Sequence, residues 1–350
     1  MDSVANAETM REPSMWQRAA PALTLAVLAP VIAEVLNGST RLSFLFVLVP
    51  EIMVWGCGAL MIREAVRRWK GGGTSMVLLG LALAVAEEWV IQQTSLAPYA
   101  WPGASANYGR LWGVNWIWFV IMLGYECVWV TLVPVQVTEL IFHKRRTDRW
   151  LSNRGFVVTG AVFVAGSFLA WFLWTHIARP KTYHVPMYQP PAWQLIVGVL
   201  MIVALALAAY ALRGREHSDE TDRWMPPAWA VGVAALLLPV PWFWLMSFIF
   251  GGKTGLPFWV PVAIGVVWAA VAWWIVQSWT TARGWHDMRR WALVFGATVS
   301  SMALTFLGSG TWPRMDLIFK IVVNALAVVG FLLLAQRLMR TAHAGEVGTP

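Results

Sequence analysis

The chain has 350 residues, 58% of them hydrophobic and 13% charged, with a mean hydropathy of +0.59. An ordinary soluble domain carries about 25% charged and about 45–50% apolar residues, so a water-soluble globule, a disordered chain and a fibrous repeat are excluded. The net charge of +8, from 26 Lys and Arg against 18 Asp and Glu, leaves nucleic acid or an acidic membrane surface as partners.

A helix needs roughly 20 mostly apolar residues to cross lipid hydrocarbon. In chain order, ten stretches qualify: 19–37, 44–63, 74–97, 113–142, 155–176, 191–212, 227–250, 257–279, 289–309 and 315–338. Their hydrophobicity is continuous, without strand-like alternation, so the fold class is an all-α polytopic transmembrane helix bundle of about ten spans. Pro134 predicts a kink in the fourth span, and Pro239 with Pro241 a break in the seventh. Cys57 and Cys127 lie inside apolar runs and read as small core residues.

The basic residues give an orientation. With the N-terminus on the cytoplasmic side, nineteen Lys and Arg fall inside and six outside, and Lys320 lies within the tenth span. Every inner loop outscores every outer loop, as the positive-inside rule expects, and both termini are predicted to be cytoplasmic. Arg67-Arg68-Trp69-Lys70 and Lys144-Arg145-Arg146 then read as anchors for anionic lipid headgroups on the cytoplasmic face of a plasma membrane, and nucleic acid drops out. The first span contains Glu34 and has no clear cleavage site, so it is expected to be a retained helix. The organisation is a tail over 1–18, a first membrane half over 19–212 (spans one to six), a linker over 213–226, a second half over 227–338 (spans seven to ten) and a tail over 339–350. The linker carries Arg215, Glu216, His217, Asp219, Glu220 and Asp222.

Ionisable residues inside spans are costly and mark candidate sites. Glu34 lies on the first span, Glu51 on the second, Glu87 and Glu88 on the third, Glu126 and Glu139 on the fourth, and spans five to nine have no interior acid. At about 1.5 Å per residue, Glu34 is roughly 22 Å from its cytoplasmic edge and Glu87 and Glu88 roughly 20 Å. By the same rise Glu126 and Glu51 are roughly 20 Å and 10 Å below the outer edge. Five carboxyl groups between mid-membrane and the outer leaflet predict a shared polar chamber, the alternative being scattered acids protonated for packing. Glu139 is expected at the inner interface, Arg63 and Glu64 at the inner headgroups, and Asp316 with Lys320 as an i,i+4 pair.

The third span holds the sharpest pattern, Ala86-Glu87-Glu88-Trp89-Val90-Ile91-Gln92. One carboxylate can act as a base on water while the other binds a cation or orients the first, and Gln92 shares a face with Glu88. Preceded by the small-residue stretch Gly80 to Ala86, this resembles the Glu-Glu-x-x-x-Arg motif of the CPBP (CAAX protease, Abi and bacteriocin-processing) intramembrane protein family, over about the third and fourth spans. The resemblance implies that Glu87 and Glu88 activate water or bind metal, with histidines on later spans completing the site. Here Gln92 stands where the family has Arg, and the fourth span, where a second motif would place a His four after a Phe, offers Phe119 and Gly124-Tyr125-Glu126-Cys127 but no His. All six histidines (His143, His176, His184, His217, His286, His343) fall at span ends, in loops or in a tail. A site of Glu87, Glu88 and Glu126 alone would take a divalent Mg²⁺, Mn²⁺ or Ca²⁺ in preference to zinc.

The outer loop from Pro98 through Trp101-Pro102-Gly103 to Trp116 reads either as a lid over the acids or as an interfacial aromatic belt. It contributes Arg110, long enough to reach down to the chamber, and Asn115 as candidate ligands. Three functions stay open: a CPBP-like membrane protein, peptidase or inactive relative; a proton- or cation-coupled carrier using Glu34, Glu87, Glu88 and Glu126; and a non-catalytic scaffold.

Overall fold

A computed structural model describes residues 15–99, 107–214, 222, 224–251 and 255–347. Trp101, Pro102 and Gly103 of the outer loop and Arg215, Glu216, His217, Asp219 and Glu220 of the linker lie outside them, as does the His343 side chain.

Among the described residues, ten helices are long and apolar enough to cross a membrane: α1 Trp16–Val35, α2 Leu42–Trp69, α3 Gly73–Ile91, α4 Trp116–Ile141, α5 Asn153–Thr182, α6 Ala192–Ala211, α7 Ala228–Ile249, α8 Trp259–Thr280, α9 Asp287–Thr311 and α10 Arg314–Thr341. The protein is an all-α, multi-pass membrane bundle. Each predicted span has its helix, although the second and fifth run six residues further than expected, to Trp69 and Thr182, and the third and fourth are shorter. The third stops at Ile91, where Gln93 adopts a left-handed φ of 62° and turns the chain. The fourth starts only at Trp116, because Arg110–Leu111 (β1) and Val114–Asn115 (β2) pair as an antiparallel hairpin. Trp112 and Gly113, both at positive φ (54° and 78°), form its two-residue turn, as primed hairpin turns require.

The helices are unequally buried. Two thirds (67%) of α3 and of α4 are enclosed by other helices, whereas α5, α6, α8 and α10 are only 11–22% enclosed. The first four spans and α9, each 50–67% enclosed, therefore build the interior, and the peripheral ones present Leu, Val, Ile and Phe outward, as lipid-facing helices do. Backbones approach most closely at glycines. A side chain on Gly56 (α2) would meet the Ala26 carbonyl (α1), and one on Gly296 (α9) the Gly232 carbonyl (α7).

The tryptophans brace the bundle. Indole N–H groups donate across helices from Trp129 (α4) to the Ala297 carbonyl (α9) at 3.1 Å and from Trp242 (α7) to Ile121 (α4) at 3.1 Å. Trp268 (α8) donates to Leu238 (α7) at 2.8 Å, and Trp291 (α9) to Phe331 (α10) at 2.9 Å. An indole has one donor that hydrocarbon cannot satisfy, so each of these pairs fixes an interhelical register. The predicted break in α7 is present: the helix runs Ala228–Leu237, Pro239–Trp244 and Met246–Gly251. Leu238, the acceptor for Trp268, sits at the first joint. Pro134 lies in the first turn of Val133–Ile141, directly after a wide turn in α4. Cys57 and Cys127 are buried and free.

Candidate functional site

Each acid-bearing helix departs from α-geometry at its acid. Glu34 lies in the π-helical segment Val31–Val35, Glu87 and Glu88 in Ala86–Ile91, and Glu126 opens Glu126–Leu132. Glu51 immediately precedes Ile52–Gly56. A π turn takes in one extra residue, is rare, and concentrates at functional sites. Four of them around five carboxyl groups mark this end of the bundle, where the 36–41 and 92–115 connections lie.

The acids share one electrostatic neighbourhood. Glu51 interacts with Glu34; Glu87 with Glu88, Glu34 and Glu51; and Glu126 with Glu88, Glu87 and Glu34. Glu51, Glu87, Glu88 and Glu126 are buried, and Glu34 is half-buried. Among the described residues no Lys or Arg forms an ion pair with any of them.

Their hydrogen bonding differs sharply. Glu88 Oε2 accepts from Thr94 Oγ1 (2.6 Å), Ser95 Oγ (2.5 Å) and Trp118 Nε1 (3.2 Å). Thr94 and Ser95 come from the turn that the Gln93 reversal creates. Three donors on one oxygen are an environment made for a carboxylate. Glu51 Oε1 accepts a short hydrogen bond from the Thr40 hydroxyl. Neither oxygen of Glu87 has a donor, and Oε2 of both Glu51 and Glu126 is likewise buried and unpartnered. Tyr125, next to Glu126, accepts from Asn37 Nδ2 at 2.5 Å and donates to the Ala33 carbonyl, which ties α4 to the end of α1.

Arg110 is not part of this cluster. Its guanidinium donates to the Ala97 (2.8 Å), Leu96 and Gly113 (2.6 Å) carbonyls, fastening the hairpin to the turn after α3. Burial pulls Arg110 below the usual guanidinium range, with the facing Tyr188 offsetting part of the effect. Asn115 is a helix cap: its Oδ1 accepts from the Trp118 amide at 3.0 Å, and its own amide bonds the Ser95 carbonyl. Both residues shape the loop that delivers Ser95 and Trp118 to Glu88. Gln92 is half-buried, its amide bonded to the Glu87 carbonyl.

At the inner end of the bundle, Glu139 is buried and accepts from Arg63 (3.2 Å) and Arg67 (2.6 Å). Arg63 and Glu64 are fully buried: Arg63 bonds Glu64 at 2.9 Å and the Asp148 and Arg146 carbonyls at 2.6 Å, and stacks on Trp150. Helix packing encloses these groups because the 143–152 segment folds back over them. Asp316 and Lys320 do not pair. Asp316 accepts from the Ser43 amide and hydroxyl, while Lys320 donates to the Leu36 (3.0 Å) and Asn37 (2.7 Å) carbonyls and to Thr305. Each thereby caps a different part of the connection between α1 and α2.

The residues do not fit a divalent metal. Among the described residues, no three His, Cys, Asp or Glu come together closely enough to hold one. Glu88 Oε2 is already occupied by three donors. His176, at the outer end of the fifth span, packs against Trp171 and Phe172. Comparison with protein-family models, curated proteins and solved structures returns no match.

Sequence reasoning missed Thr40, Thr94, Ser95, Trp118, Tyr125 and Asn37. The polar run Gln92-Gln93-Thr94-Ser95, closing an otherwise apolar span, is the signal that points to the Glu88 donors.

Proposed function

We propose that this multi-pass membrane protein is a proton- or cation-coupled carrier of the plasma membrane, with Glu34, Glu51, Glu87 and Glu126 as its coupling group. The observation that carries the reading is Glu87: buried, without a donor on either oxygen, and in electrostatic contact with other acids. A bare carboxylate is not stable in such surroundings, so it holds a proton or an incoming monovalent cation. Glu88, beside it, is held in place by its three donors and leaves Glu87 as the group free to exchange. Glu34, half-buried at the end of α1, is the member nearest the loops and the entry point for the exchanging ion. By the positive-inside bias this end of the bundle faces outward.

Purified protein in vesicles with an internal pH dye and an imposed potassium-valinomycin potential tests this reading. The wild type acidifies the lumen, and Glu87→Gln slows the flux at least tenfold. Wild-type flux in that variant, or none in the wild type, refutes the coupling role.

Peptidase chemistry of the CPBP kind draws its support from the Glu87-Glu88-x-x-x-Gln92 spacing. It predicts cleavage of membrane peptides that Glu88→Gln abolishes, a readout independent of ion flux.

A further inference from the structure

The end of the bundle opposite the acid cluster holds more cations than its carboxylates neutralise. Arg67 (α2) donates to Glu139 at 2.6 Å, and Arg63 links Glu139 (3.2 Å) to the Arg146 carbonyl (2.6 Å). Arg146, in the 143–152 segment, pairs with Asp287 at 2.7 Å. Asp287 opens α9, and Arg290 follows three residues on, one turn along the same face. The charged groups facing Arg290 are Glu139, Arg146, Asp287 and Arg67, so guanidinium groups from three parts of the chain meet here.

Arg290 differs from the others. Among the described residues its guanidinium makes no ion pair and no hydrogen bond: Nε is enclosed without a partner, and both terminal nitrogens are accessible. Arg67 has the same enclosed, unpartnered Nε and an accessible, unused Nη1, and Arg146 keeps Nε and Nη2 accessible and unused.

We propose that Arg67, Arg146 and Arg290 together bind one phosphate monoester group, carried by a membrane lipid or free in solution. Charge is the first argument. The paired network of Arg63, Arg67, Arg68 and Arg146 with Glu64, Glu139 and Asp287, with Arg290 added, has five guanidinium groups against three carboxylates, a surplus of two. A phosphate monoester carries about −1.5 to −2 at neutral pH, whereas a phosphate diester or a carboxylate carries less. Donor geometry is the second. A guanidinium is a planar fork that matches phosphate oxygens pairwise, and the nitrogens left unused are the accessible ones. Depth is the third. Arg67 lies two residues before the end of α2 and Arg290 three residues after the start of α9, at the level where lipid phosphates lie. The two basic runs that read as separate anchors in the sequence thereby form one site, closed by α9.

The experiment titrates full-length protein in neutral detergent with phosphatidic acid, a monoester, and with phosphatidylglycerol, a diester, and reads bound lipid by native mass spectrometry. Phosphatidic acid is expected to bind at least tenfold more tightly. Arg290→Gln should remove that preference, because a hydrogen bond to a charged group is worth about tenfold or more. Arg149→Gln, the same charge change at an exposed position three residues from Arg146, should keep it. A second arm adds millimolar inorganic phosphate, with chloride at equal ionic strength as control, and reads the melting temperature. Stabilisation by phosphate that Arg290→Gln abolishes assigns the site to a soluble phosphate, and a lipid preference without it assigns a headgroup. Failure of both arms in the wild type overturns the proposal without reference to any variant. So does a preference that survives Arg290→Gln, or an equal loss in Arg149→Gln, which would make the attraction a property of the whole basic face.

Discussion

The Nζ of Lys320, on the tenth helix, lies 3.0 Å from the carbonyl oxygen of Leu36, one residue beyond the first helix. It also reaches Asn37 and Thr305, so one cation caps the helix end that carries Glu34 and locks it to α9. Replacing Lys320 with Leu leaves those carbonyls buried without donors. The expected loss is about 2–4 kcal/mol, from general hydrogen-bond values for charged donors. Thermal unfolding in detergent measures it, and Lys320→Arg should recover part of the loss.

Glu87 and Glu88 should respond oppositely to the same substitution. Glu87→Gln removes an uncompensated acid to which nothing donates, so the melting temperature stays level or rises. Glu88→Gln turns an amide toward the hydroxyls of Thr94 and Ser95, with an expected cost of about 1–3 kcal/mol. Equal shifts in both variants would remove the distinction drawn between the two carboxyls.

At the opposite end, Arg63 holds Glu64 and Glu139 together with both side chains enclosed. Breaking such a buried pair from one side costs about 3–5 kcal/mol in general, because a charge is left stranded. Arg63→Ala should therefore abolish accumulation of folded protein, as read by size-exclusion profiles. Lys144→Ala, at an exposed position without such a network, should not.

Trp242→Phe tests the indole braces. The phenyl ring is smaller than the indole, so the variant leaves a cavity as well as an Ile121 carbonyl without its donor; the expected destabilisation exceeds the about 0.6–1.7 kcal/mol typical of an interhelical hydrogen bond in membranes.

The spans were legible because lipid imposes a single strong rule on composition, and the five acids stood out against that background. Where their partners come from was not legible. Thr94 and Ser95 reach Glu88 only because Gln93 takes a left-handed φ and ends α3 early, a backbone event without a periodicity signature. Asn115 and Arg110 read as ligands because polar residues near acids attract that role. In three dimensions their donors and acceptors are used by the loop itself. The i,i+4 spacing of Asp316 and Lys320 likewise suggested a local pair, but the α1–α2 connection offers both of them partners that spacing cannot reveal.

The wide turns have a consequence for register. A π turn is one residue longer than the α turn it replaces, so deleting one residue within Ala86–Ile91 would restore a regular helix without shortening its reach across the bilayer appreciably. The turn absorbs the extra residue, so the helix on either side keeps its facing, and a residue over which the turn passes is rotated by about 100°. Glu87 and Glu88, being neighbours, differ by just that rotation. A wide turn migrating by one residue would carry one carboxyl out of the Thr94–Ser95–Trp118 pocket and bring the other in, with both helix ends held still. The irregularity in each acid-bearing helix is thus a stored rotation.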